Sequence, residues 1–284
     1  MALLNPEQIF LRSNEYTILN NATKKSSISF TLKNTIKIPS NIDAYIQMNS
    51  FKFINSFYNL NATNNQFYYS LNGSGETLAT TYSIGIPIGN YNITTLIDYL
   101  NDQLDTDIVL TYDDSTFKIT FTSSIYTFVI RQGLNDCMRI IGFTDETVTT
   151  EGSSTTSTNL INLSGVQVLY IALPNIALSS NSALGSTLVN VLDSCNIDVL
   201  TGNAKSYNNQ SSVKFKINEI AISRIDVDIY DELSRLVDFN NTDWFMSISI
   251  IFSYKNEFRP PVTLDLSGGT AEPISDDQNE NLNQ

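Results

Sequence analysis

Four carboxylates fall within seven residues near the C-terminal end of the chain: Asp226, Asp228, Asp231 and Glu232. Acids at this density invite a hard cation, and calcium is the ion that carboxylates and carbonyls hold without help from nitrogen or sulfur. The spacing does not build the known calcium loop. Counted from Asp226, that loop needs a third acid or amide at position five, a glycine at six and a glutamate at twelve; Tyr230, Asp231 and Val237 stand there instead. The acids read as solvated strand-face and turn carboxylates. Two acids at a fixed separation could also cleave glycosides. That chemistry wants aromatic platforms for the sugar, and the candidates Tyr68, Tyr69, Tyr91 and Trp244 sit in strand contexts where core packing is the commoner role.

The rest of the inventory removes chemistry. The chain has no histidine, which excludes His-based triads, proton relays and most zinc and iron ligand sets. Cys137 and Cys195 are the only cysteines, too few for a disulfide framework or a thiolate metal site, and are expected as core residues of a protein made in a reducing compartment. Gly85-Ile86-Pro87-Ile88-Gly89 lacks the Lys-Ser/Thr end and the preceding parallel strand of a phosphate cradle. No catalytic, cofactor-binding or metal-ligating residue is assigned, and the chain reads as a non-enzyme.

The 284 residues carry a net charge of −13. A surface this acidic repels phosphate backbones, so no nucleic-acid role is expected. MALLNPEQIFLRSNEY has no basic region followed by an apolar run, and nowhere are there 18 consecutive apolar residues; the expectation is a soluble protein with neither export signal nor membrane insertion.

The elements that must position these residues are strands. Trp244, Met246, Ile248, Ile250, Phe252 and Tyr254 alternate with Phe245, Ser247, Ser249, Ile251 and Ser253, predicting a long strand with one buried and one mostly solvated face. Upstream, Ile220 and Ile222 keep one phase and Ile225, Val227 and Ile229 the other, which predicts a β-bulge near Ser223-Arg224. Tyr230 to Arg235 supplies a polar turn, and Asn240-Asn241 tolerates left-handed backbone before the last strand. Other strand runs are Ser27 to Leu32, Ala44 to Met48, Gln66 to Leu71 before an Asn72-Gly73-Ser74-Gly75 turn, Thr81 to Ile84, a pair turning at Asp113-Asp114-Ser115, Tyr126 to Ile130 and Val166 to Leu173; Leu188 to Val199 is ambiguous. A helix is predicted after the N-cap Asn92, with Ile93, Leu96, Ile97, Leu100 and Leu104 on one face, and a second from Leu134 to Gly142. Segments 144–159 and 201–212 read as polar loops. The fold class is therefore all-β, a sandwich or jelly roll, as one domain over 1–263 with a small mixed unit of two short helices and hairpins inserted at 85–145, followed by a disordered, flexible polar tail over 264–284.

Several short pieces recur in a familiar order. Gly89-Asn90-Tyr91 is followed by Leu96, Leu100-Asn101 and Leu104. Met138-Arg139-Ile140-Ile141-Gly142-Phe143 and Val168-Leu169-Tyr170-Ile171 come next. The run closes on Ile225 to Ile229, Asp231-Glu232, Val237-Asp238-Phe239-Asn240 and Asp243-Trp244. Over roughly residues 25 to 255 this resembles the penton, or minor capsid, proteins of virophages and polinton-like viruses. The resemblance implies a single jelly roll without cofactors that forms homopentamers at the vertices of an icosahedral capsid and contacts the major capsid protein. It also implies a virion location after synthesis in the host cytoplasm; interface residues remain unassigned. The competing expectation is a particle-attached spike or carbohydrate-binding jelly roll, or another minor capsid or cement protein.

Overall fold

The computed structural model describes residues 5–19, 24–72, 81–149, 153–176, 190–210 and 213–255. Among them the backbone forms seventeen strands and one helix: β1 (Glu7–Arg12), β2 (Ile18–Leu19), β3 (Ser27–Lys37), β4 (Ile42–Ile54), β5 (Gln66–Asn72), β6 (Tyr82–Gly85), α1 (Ile93–Gln103), β7 (Ile108–Asp113), β8 (Lys118–Ser123), β9 (Thr127–Arg131), β10 (Thr147–Thr149), β11 (Ser153–Thr156), β12 (Val168–Ala172), β13 (Val191–Asn196), β14 (Ala204–Asn208), β15 (Phe215–Ile217), β16 (Ala221–Tyr230) and β17 (Phe245–Tyr254).

Two sheets build the sandwich. One runs β1-β17-β4-β14, with β15 following β14 along the same side of β4; the other runs β13-β12-β16-β3-β2. Setting β2 aside and treating β14 with β15 as one interrupted strand, the eight strands in chain order give 1-8-3-6 and 2-7-4-5. Every connection thus crosses to the other sheet except that from β12 to β13, which pair as neighbours, and this is the order of a jelly roll. The facing sides meet in a core of aliphatic and aromatic residues, including Ile28, Ile46, Met48, Phe51, Ile225, Val227, Ile248 and Trp244.

The alternation in β17 places Trp244, Met246, Ile248, Ile250 and Phe252 inside, while Tyr254 is exposed. The opposite face is drier than expected: Ser247 and Ser253 are buried. Ser247 lies in a strand paired on both sides, and its hydroxyl meets that of Ser50 at 2.8 Å. The phase switch in β16 appears as a break in register between Ile222 and Arg224. The surplus residues belong to β3, where Leu32 to Thr35 lie opposite the single Ser223. Asn240 and Asn241 both take left-handed backbone, with φ of 46° and 61°.

Between β4 and β12, the third and fourth strands of the jelly roll, the chain leaves the sandwich and forms a second core of its own. Sheets β10-β9-β5-β6 and β11-β8-β7 pack with α1 around Phe67, Phe121, Phe128 and Leu100. This core draws on residues from Leu60 to Phe143, with Ile161 and Leu163 packed against it, so residues on both sides of 85–145 contribute. Asn59 fastens its two ends. The side-chain amide donates to Tyr91 O at 2.8 Å and to Leu163 O at 2.9 Å, and Oδ1 accepts from Tyr91 N at 2.9 Å. At the start of α1, Asn92 accepts from Thr95 N while Thr95 Oγ1 accepts from Asn92 N, a reciprocal cap that satisfies two otherwise orphan donors.

The helix expected over Leu134 to Gly142 does not form. Asn135 at φ 59° and Gly142 at φ 88° bracket the segment with left-handed backbone, leaving room for one turn, closed by Ile141 N to Cys137 O and Phe143 N to Met138 O. A helix needs more residues than that to offset its nucleation cost. A Cβ at Gly142 would stand 2.3 Å from Asn159 O. Gly142→Ala is therefore expected to cost about 2 kcal/mol or more, from left-handed strain plus displacement of that carbonyl, read as a lowered urea midpoint. The polar segments 144–159 and 201–212 also differ from expectation, since they contain β10, β11 and β14. The Gly73 turn signal and the 264–284 tail lie outside the described residues.

Candidate functional site

The four carboxylates on and after β16 are brought close in sequence only. Asp226, 9% exposed, is held by Arg224 Nη2 at 2.8 Å, and Asp228 accepts from Tyr230 Oη at 2.9 Å. Burial, and then the charge of Asp228, push the Tyr230 phenol up to about 12. Glu232 accepts from Gln167 N at 3.4 Å. Asp231 is 4% exposed and accepts from Leu233 N at 2.9 Å, from Arg235 N at 2.8 Å, and from Arg235 Nε and Nη2 at 2.8 Å each. Its lone pairs are spent on pinning the 231–235 turn, in which Ser234 takes φ 61°. Among the described residues, no three Cys, Asp or Glu side chains gather as a metal would require.

The aromatic candidates are spent in the same way. Trp244 is fully buried, donates from Nε1 to Lys25 O at 2.8 Å, and packs on Phe30 and Phe51 at centroid distances of 6.0 and 5.8 Å. Tyr69 stacks within the second core against Tyr82 and Phe67. Tyr68 lays its ring over Gly133 and donates to Leu134 O at 3.0 Å; Tyr91 donates to Pro87 O at 2.9 Å. Both cysteines are free and buried, and burial pushes the thiol of Cys137 up to about 12 and that of Cys195 up to about 11, far from a reactive thiolate.

What the surface offers instead is a groove of about 510 Å³ where the 231–240 loop of the sandwich faces the root of the inserted unit. Its walls include Phe57, Ile88, Val166, Leu236 and Arg235. Arg235 Nη1 crosses the groove to Thr63 Oγ1 at 3.0 Å, and Ser56 Oγ donates to Phe239 O at 2.8 Å, so the groove walls are tied together. Lys25 beside Asp243, at 2.6 Å, holds that carboxyl below its ordinary value. The sequence marked the 231–240 run but not the groove, because the lining residues come from five separate stretches that meet only on folding.

Fold and surface together define a jelly-roll protein, enlarged by an inserted β unit, in which Asp231 and Trp244 hold the fold, both thiols are buried, and Asp226 Oδ1 is buried without a hydrogen-bond partner. No family model matches the chain. It is similar to an uncharacterized protein of Acanthamoeba polyphaga mimivirus, with 27% identity over 251 residues; the match takes in 87% of this chain, which spans 36% of the length of that curated relative. It is also similar to the crystal structure of the mavirus penton protein, with a TM-score of 0.45 and 13% identity, covering 88% of this chain and 100% of that one. No helix among the described residues is long and apolar enough to cross a membrane.

Proposed function

We propose that this chain is a structural virion protein, a penton that closes into rings of five at capsid vertices and contacts the major capsid protein. The observation that carries this reading is where the motif pieces fall. Tyr91 lies in the Asn59 seam, Ile141 to Phe143 in the turn that ends on Gly142, Leu169 to Ile171 in β12, and Asp231 to Trp244 in the pinned loop leading into β17. They are a seam, a turn, a doubly paired strand and a pinned loop, places that build the jelly roll and its insert, which supports a structural role. Jelly rolls of this kind recur in viral capsids, an analogy at the level of fold. The similar mimivirus protein is itself viral. A closed ring needs two different, mutually complementary surfaces on each subunit.

Native mass spectrometry of the purified chain, with cryo-EM of the assembled particle, is expected to count five copies per ring. Trimers, fibres or a monomer at every concentration would overturn the vertex assignment.

A further inference from the structure

The sheet β1-β17-β4-β14 has a second face, turned away from the core. Its rungs follow from the register: Arg12 pairs with Phe245 and Phe245 with Lys52, while Phe10 pairs with Ser247 and Ser247 with Ser50. Cross-strand partners stand on one side of a sheet, and Met246 and Ile248 of β17 are in the core, so these rungs point outward. Tyr45 lies further along β4 on the same face. Lys216 of β15 is its register partner, and the ammonium of Lys214 stands 4.8 Å from its ring centre. In a chain of net charge −13, this face carries the cations Arg12, Lys52, Lys214 and Lys216. Glu15 reaches Arg12 at 3.1 Å and Asp43 reaches Lys216 at 2.9 Å. Phe10 and Phe245 stand among the cations, 68% and 44% exposed. Neighbouring exposed aromatics rimmed by charge mark a surface that a partner covers.

The opposite charge is gathered elsewhere on the same chain. Residues 60–163 hold eleven acids and three bases. Asp98 and Asp102 sit one turn apart on α1, Asp113 and Asp114 stand where β7 turns toward β8, and all four are exposed. The helix acids work against the fold locally. Like charges at i,i+4 repel, and Asp102 lies in the last turn, which has no base, at the negative end of the helix dipole. The Asn101 side chain exchanges hydrogen bonds of 2.8 and 3.1 Å with the Leu110 backbone, which fastens α1 to β7 as one block. Val109 and Phe117, 47% and 55% exposed, belong to the same block.

We infer that the outer face of β1-β17-β4-β14 docks the α1–β7 block of a second copy of this chain, cation against carboxylate, covering Phe10 and Phe245. The two surfaces differ, so the contact is heterologous and repeats from copy to copy, as ring closure requires. The inference rests on the ring reading for its setting but fixes no number of copies.

Sedimentation velocity of the full chain tests it. Self-association is expected to weaken at least about tenfold between 0.1 M and 1 M salt, as the Debye length falls from about 10 to about 3 Å. Lys52→Glu with Lys214→Glu, and separately Asp98→Lys with Asp102→Lys, are each expected to weaken it at least about tenfold, like charges being set against each other. All four side chains are exposed, so the circular dichroism spectrum and the thermal midpoint are expected to stay in place. An equimolar mixture of the two variants is expected to associate again, because each inverted surface then meets its opposite on the other protein. Association that survives both double substitutions would overturn the inference, as would a mixture that stays apart. Binding to phosphatidylglycerol vesicles that Lys52→Glu with Lys214→Glu abolishes, with self-association unchanged, would assign the face to an anionic membrane and overturn the second-copy version. Rings of five that ignore the substitutions would overturn the docking surfaces and leave the ring. Charge-dependent assemblies of another size would leave the surfaces and overturn the vertex, and a monomer at every concentration would overturn both.

Discussion

Trp244→Ala is expected to lower the stability of the fold by about 4 kcal/mol, the range of a large aromatic deleted from a packed core. Trp244 bridges the sandwich, touching Phe51 of its own sheet and Phe30 of the facing one. Its removal also leaves Lys25 O without the indole donor. Domains hold only about 5–15 kcal/mol in total, so a loss of this size removes a large share of the margin and reduces the soluble yield. Trp244→Phe keeps most of the volume and is expected to cost only about 1–2 kcal/mol, chiefly the lost hydrogen bond. Urea unfolding followed by circular dichroism checks both, since the chain has a single tryptophan and the mutants lose its fluorescence. A tryptophan serving as a sugar platform behaves in the opposite way: its loss abolishes glycan binding and leaves the midpoint in place.

Asp231→Ala is the second large effect, expected at about 3 kcal/mol. Two backbone donors, Leu233 N and Arg235 N, lose a buried carboxylate acceptor, and a hydrogen bond to a charged group contributes about 1.5–3 kcal/mol. Arg235 adds less, because its side chain is 42% exposed and regains water. Arg235→Met is accordingly expected to cost less than half as much as Asp231→Ala, and the double mutant little more than Asp231→Ala alone. The thermal midpoint of the unaltered protein is expected to be the same with and without excess calcium. A calcium-dependent rise would return Asp231 to the role of a ligand and defeat the structural assignment.

The parts of the fold legible in the sequence are those where one physical requirement acts on many neighbouring residues. The period-two burial of β17, the phase switch at Ser223, the cap at Asn92 and the left-handed pair Asn240-Asn241 all state themselves locally. Edge strands do not. Among the described residues, β1, β14 and β11 have a neighbour on one side only, and Ser153 to Thr156 is a run of hydroxyls whose strand exists because β8 presents a matching row, as Thr120 and Thr156 illustrate at 2.8 Å. Leu134 to Gly142 has the apolar spacing of a helix, yet its Met138 and Ile141, with Phe143 just after it, are buried by a single turn packed on the second core. The candidate acids were visible as a cluster, but their engagement was not, because the arginine, tyrosine and backbone groups that occupy them acquire their positions only on folding.

The interleaving of the first and last strands sets a schedule for synthesis. β1 finds its partner β17 only when residues 245–250 have left the ribosome, more than 230 residues after β1 itself. At 5–20 residues per second that is a wait of roughly 10 to 50 s, during which the early strands lack their central neighbour. The inserted unit, in contrast, draws its whole core from a continuous stretch that is complete long before then. It can fold first and hold the ends of β4 and β12 near each other through Asn59, so that the slowest pairing in the molecule closes onto a framework already half built.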